Sequence, residues 1–143
     1  METLPLRLTP GQDLRAALQA VLATRALAAA FVLQGIGSLN AAQLRLAGAS
    51  TPLELRGDLE ILTLAGTLSP DGPHLHMTVS DADGRVFGGH VAAGCIVRTT
   101  AEVLLALLPG HRFSREVDAL SGFGELVVRQ QKVKRPDTQE DRL

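Results

Sequence analysis

Tryptophan and tyrosine are missing from this chain of 143 residues, and phenylalanine occurs only four times. The core must therefore be built from Leu, Val, Ile and Ala, within a hydrophobic fraction of 45%. A strand-binding surface made of stacked aromatic rings is excluded by the same shortage. Basic residues are not in surplus either: the formal net charge is −1, so no positive field draws in a phosphate backbone. There is a single cysteine, Cys95, which excludes an intramolecular disulfide and fits a reducing compartment. The N-terminal METLPLRLTP lacks a basic segment followed by an apolar one, so it does not read as a secretory signal. The longest apolar run, near Ala26 to Leu33, is far too short to span a bilayer. These absences together predict a soluble cytoplasmic domain with no membrane partner.

The chain that remains is long enough for one core. Thr3 to Leu8 alternates as a first strand, with Leu4, Leu6 and Leu8 on one face. In Thr9-Pro10-Gly11-Gln12, a Thr cap, a Pro at the first helical position and a Gln three residues on form a capping box. Leu14, Ala17, Leu18, Val21 and Leu22 follow at helical spacing, so a helix is expected from Thr9 to about Arg25. Ala28 to Gln34 reads as a buried strand that Gly35 and Gly37 stop. QGIGSLN lacks the third glycine, the lysine and the helix of a phosphate cradle, so it reads as a turn. Ala42 to Leu46 and Pro52 to Leu55 read as short strands. Leu59 to Leu68 reads as a central strand covered on both faces. Cys95 to Leu108 begins β-like and stays open between helix and strand from Ala101. Phe113 to Val117 and Phe123 to Val128 read as late strands. From Arg129 the composition turns polar, so the domain is expected over residues 1–128 and a disordered tail over 129–143. Many short strands, one helix and tight turns predict an antiparallel α+β fold.

The stretch from Leu59 to Cys95 holds the chemistry. After the turn Ser69-Pro70-Asp71-Gly72-Pro73, His74, His76, Thr78 and Ser80 face one way, and Leu75, Met77 and Val79 the other. The next turn, Asp81-Ala82-Asp83-Gly84, decides whether His90 joins them. A loop of two or four residues would put His90 on the opposite face. A three-residue loop ending in a left-handed Gly84 places Asp81 opposite Arg85 and His76 opposite His90. Their Cβ atoms would then lie roughly 5 Å apart, with His74 beside them. Three imidazoles on one face are a ligand set for zinc or another divalent first-row ion, with a fourth position open for water. An HxH pair is also what a solvated strand face looks like, and a third histidine at a compatible register favours ligands. Glu60, Asp81 and Asp83 are candidate outer partners or a base that nothing in the sequence places. His111 reads as a loop residue and Cys95 as a buried small apolar one. No serine or cysteine nucleophile motif is present.

GDLEILTLAGTLSPDGPHLHMTVSDADGRVFGGHVAAGCIVRTTAEV, preceded by RLTPGQDL and GIGSL, resembles the plant and prokaryote conserved (PPC) domain, the AT-hook-associated domain. The resemblance covers about residues 4 to 128, with its pieces in the family's order. It implies the stand-alone prokaryotic type: an antiparallel sheet of about seven strands flanked by one to three helices, assembled as a homotrimer. Plant members resemble an interaction module that recruits transcription factors through a GRFEIL segment. Gly57, Asp58, Leu59, Glu60, Ile61 and Leu62 stand at those positions here, with the Arg and Phe replaced. DNA binding in plant members belongs to an Arg-Gly-Arg-Pro core, and this chain has only Lys134-Arg135-Pro136. The reading is therefore a homotrimer that binds a divalent metal, zinc first, through His74, His76 and His90. A DNA-binding or transcription-associated module that recruits a protein partner is the first alternative. A metal-dependent enzyme of unknown substrate is the second.

Overall fold

Two long strands carry the structure. The computed structural model describes residues 2–132, and β2 (Ala30–Arg45) and β3 (Leu53–Ser69) form its spine. Around them in chain order lie β1 (Glu2–Leu8), α1 (Leu14–Thr24), β4 (Gly72–Ser80), β5 (Val86–Val91), β6 (Ile96–Leu107), β7 (His111–Val117) and β8 (Gly124–Gln130). The main sheet runs β1-β6-β2-β3-β4-β5, and β7-β8 is a separate hairpin. Every pairing is antiparallel. β5 also returns to the end of β2, pairing Leu44 with Val91 and Arg45 with His90. Strands β2 to β5 thus form a closed ring of pairings, and the histidine strands sit at its closure. The antiparallel α+β architecture is the one expected.

Gly35 and Gly37 do not stop β2; they bend it. A Cβ on Gly37, where φ is +143°, would lie 2.2 Å from the Thr100 carbonyl oxygen. Register shifts flank these positions, between Val32 and Gln34 and between Gly37 and Leu39. Glycine in a strand serves close backbone approach and bulges as readily as termination. The short strands expected at Ala42–Leu46 and Pro52–Leu55 are accordingly the ends of β2 and β3. Helical propensity at Ala101–Leu107 is overridden by pairing with β1 on one side and β2 on the other. β8 runs to Gln130, two residues into the polar stretch read as tail, and residues 133–143 of that stretch lie outside the described residues.

The helix starts four residues later than the capping-box pattern suggests. Thr9-Pro10-Gly11-Gln12 closes a turn in which Gly11 adopts φ +84° and the Gln12 N–H donates to the Thr9 carbonyl at 3.3 Å. Proline second and glycine third is the pattern of a type II turn, and it prevails here. Gln12 still reaches back, its Oε1 accepting from the Thr9 N–H at 2.7 Å. Asp13 is the actual cap. One carboxylate oxygen accepts from the Ala16 N–H at 2.9 Å and the other from the Gly94 N–H at 2.6 Å. A cap of this type contributes about 1 kcal/mol. Leu14, Leu18 and Leu22 are buried against Leu64, Leu68, Leu75 and Val97 in one core. The opposite face of the sheet is covered at one end only, where Phe113 of β7 packs edge-on against Phe31 and Arg115 bonds Thr67. Further along, Leu33, Ile36, Leu62 and Leu104 are 37–50% exposed, so most of β3 is covered on one face rather than two.

Candidate metal centre

His74 and His76 are placed by the alternation of β4, whose Leu75, Met77 and Val79 are buried in the core. Polar neighbours on the outward face complete the pattern, with Thr63 and Thr78 hydroxyls 2.7 Å apart across the β3–β4 ladder. His90 arrives through the three-residue loop. The Asp81 N–H donates to the Arg85 carbonyl at 2.9 Å, the Gly84 N–H to the Asp81 carbonyl at 3.0 Å, and Gly84 has φ +79°. Ser80 pairs with Val86, and His76 falls directly opposite His90. The register read from the turn residues is the observed one.

Three imidazoles converge as a result. The Nε2 atoms of His74 and His76 are 3.2 Å apart, and one ring nitrogen from each of the three lies within 4.8 Å of the others. The ring centroids are separated by 5.1, 5.0 and 5.7 Å. A tetrahedral ion with metal–nitrogen bonds of about 2.0–2.1 Å holds its nitrogens roughly 3.3 Å apart, so small side-chain rotations would close the set. The donor chemistry fits as well. Neutral imidazole is a borderline ligand suited to zinc, copper, iron and nickel, and three such ligands leave a coordination position for water or substrate.

Burial and nearby cations favour the neutral form of two of these rings, His74 and His90. Burial pushes His90 down to about 4, helped by His74, Arg45, His76 and Arg15. His74 is lowered by burial, then by Arg115, His76 and Arg15, against an upward pull from Glu125. These two ligands therefore need not shed protons to take an ion at neutral pH. The lowering of His90 also makes the metal-free protein acid-sensitive. Its unfolded form takes up a proton near 6.5 while the folded form resists until about 4. Stability present above 6.5 is thus lost progressively as pH falls toward 4. Urea unfolding of metal-free protein across this range should show the decline, and His90→Gln should flatten it. Equal pH slopes in the two proteins would contradict the assignment.

Other sequence candidates stay outside. Asp81 and Asp83 both bond to Arg85, each at 2.8 Å, so their carboxylates serve the turn. Glu60 is exposed on β3 away from the cluster. His111 begins β7. Cys95 is buried, its sulfur accepting from the Gln43 N–H at 3.3 Å, and burial raises its thiol pKa. What sequence reasoning missed comes from distant elements. The Arg15 guanidinium on α1 donates to the Pro73 carbonyl at 2.6 Å, bracing the entry to β4. Arg115 on β7 donates to the Thr67 hydroxyl at 2.7 Å, and Thr67 is the cross-strand partner of His74. Nothing in the local sequence pattern around Arg115 signals that position.

The family profile of the Plants and Prokaryotes Conserved (PCC) domain matches residues 1–109. The chain belongs to this family. A solved structure from Salmonella enterica, described as a hypothetical protein, is 40% identical with a TM-score of 0.88, covering 92% of this chain and 95% of its own. The metal-containing protein AF0104 of Archaeoglobus fulgidus is 26% identical with a TM-score of 0.76, covering 89% and 94%. A Bacteroides thetaiotaomicron protein with a provisional DNA-binding name is 21% identical with a TM-score of 0.76, covering 91% and 93%, and speaks to the fold alone. Among curated proteins, the bifunctional protein GlmU of Synechococcus sp. (strain JA-2-3B'a(2-13)) is 50% identical over 124 residues. That match takes in 87% of this chain but only 20% of the GlmU chain. Among the described residues no helix is long and apolar enough to cross a membrane.

Proposed function

We propose that this PCC-domain chain binds one divalent first-row metal ion, zinc first, through His74, His76 and His90. The observation that carries this reading is the convergence of three ring nitrogens within 4.8 Å on one face of β4 and β5. The metal-containing relative from Archaeoglobus fulgidus supports it. The ion would supply positive charge and a polarised water at its fourth position, which is the starting point for hydrolytic chemistry. Elemental analysis of purified protein, before and after zinc reconstitution and desalting, is the test. About one ion per chain is expected, and protein that stays metal-free after reconstitution would sink the proposal. Direct DNA binding has less support, because a net charge of −1 provides no overall positive field to draw in a phosphate backbone.

The open sheet face supports a second part of the proposal, assembly as a homotrimer. Leu33, Ile36, Leu62 and Leu104 form an apolar surface on β2, β3 and β6, of the kind that subunit contacts cover. Light scattering after size exclusion should give three times 15.1 kDa. A monomer at micromolar concentration would refute this part and leave the metal site standing.

A further inference from the structure

Two of the three histidines, His74 and His76, line an open depression of about 390 Å³ together with Ala65, Thr67, Arg115 and Leu126. Its floor is β3 and β4, and the far wall is the β7–β8 hairpin. The family match ends at residue 109, so the histidines lie inside the matched segment and the wall facing them follows it in the chain. Arg115 is the polar feature of that wall. Its backbone N–H donates to Asp71 Oδ2 at 2.8 Å, and one guanidinium nitrogen donates to the buried Thr67 hydroxyl at 2.7 Å. These two anchors fix the side chain over the cross-strand partner of His74. Among the described residues Arg115 makes no ion pair, so the rest of its donor fork is available.

The surrounding charge has one dominant sign. Arg15, Arg45 and Arg115 all act on the histidines, opposed at His74 by Glu125, while the Asp71 carboxylate is held by the Arg115 backbone N–H. Glu125 is exposed at the start of β8 and accepts from the Ser121 hydroxyl at 3.0 Å. A divalent ion on three neutral imidazoles would add two more positive charges. Such a site disfavours a cationic ligand and favours an anionic one. A planar guanidinium fork beside it matches two oxygens of a carboxylate or phosphate.

We infer that the depression is a binding site for a small molecule bearing an oxyanion group, carboxylate or phosphate, held between Arg115 and the metal's open position. The inference rests on the metal reading above, and Arg115 is its specificity-determining residue. Leu126 and Ala65 leave apolar room for the remainder of such a molecule. No bond is made or broken in this step; the site selects its ligand by charge and shape.

Cobalt-loaded protein tests it, because visible absorption of Co²⁺ reports a change of its fourth ligand without relying on activity. Inorganic phosphate and acetate are titrated separately at constant ionic strength, into wild type, Arg115→Met and Arg115→Lys. A saturable spectral change with one of the two anions is expected. Phosphate alone or acetate alone identifies the group. Arg115→Met should weaken that response about 10- to 100-fold, the loss of a charged hydrogen-bonding partner, measured with cobalt held at saturation in each protein. Arg115→Lys, which keeps the charge and loses the fork, should fall between. If cobalt binds with a clear spectrum but neither anion alters it, or all three proteins respond alike, the oxyanion site is overturned and the metal site survives. If cobalt does not bind, both fall.

Discussion

The variant His76→Ala, His90→Ala should lose bound zinc almost completely while remaining folded. Two of three protein ligands disappear. At about 3 kcal/mol per ligand, a share of the 10–16 kcal/mol typical of four-ligand structural zinc sites, affinity falls roughly 10⁴-fold. Folding should survive because His76 is exposed and His90 only half-buried, on a face separate from the core. Circular dichroism and elemental analysis on the same preparation check both halves. Retained stoichiometric zinc in the folded double variant would place the ion elsewhere.

Gly66→Ala should cause the largest loss of stability of any single methyl addition near the site. Gly66 lies on β3 opposite Leu75, with φ +148°. A Cβ there would stand 2.0 Å from the His74 carbonyl oxygen and 2.9 Å from the Leu75 Cα. Backbone atoms cannot swing away as a side-chain tip can, so β3 and β4 would have to separate. Strained φ contributes about 1–3 kcal/mol and overpacking a similar amount, for a total of about 4 kcal/mol. Urea denaturation measures it. Gly84→Ala offers a contrast: nothing lies within 4 Å of its added Cβ, so only left-handed strain of about 1 kcal/mol applies. The Gly66 substitution should also weaken metal binding, because His74 is carried by the displaced strand. Equal stabilities for the two alanine variants would refute this explanation of Gly66.

The histidine cluster was readable because its determinants are local. Alternation along His74–Ser80 set the face, and Asp81 to Gly84 set the register that brought His90 opposite His76. Cys95 was likewise legible as a buried small residue. The long strands were not, since Gly35 and Gly37 carry the same residue type whether a strand ends or bends past a neighbour. Only the pairing of β2 with β6 distinguishes the two. The start of α1 was misplaced because Thr9-Pro10-Gly11-Gln12 satisfies two local patterns at once, and the turn prevailed. Arg115, Thr67 and Glu125 were invisible for another reason. Arg115 and Thr67 are 48 positions apart in sequence, and their meeting depends on where the β7–β8 hairpin folds back.

X-ray absorption at the zinc edge of reconstituted protein tests the proposed centre most directly. Three imidazole nitrogens at about 2.0–2.1 Å, with one further light atom and no sulfur near 2.3 Å, is the predicted result. A shell containing sulfur, or fewer than three imidazoles, would contradict a centre built from His74, His76 and His90.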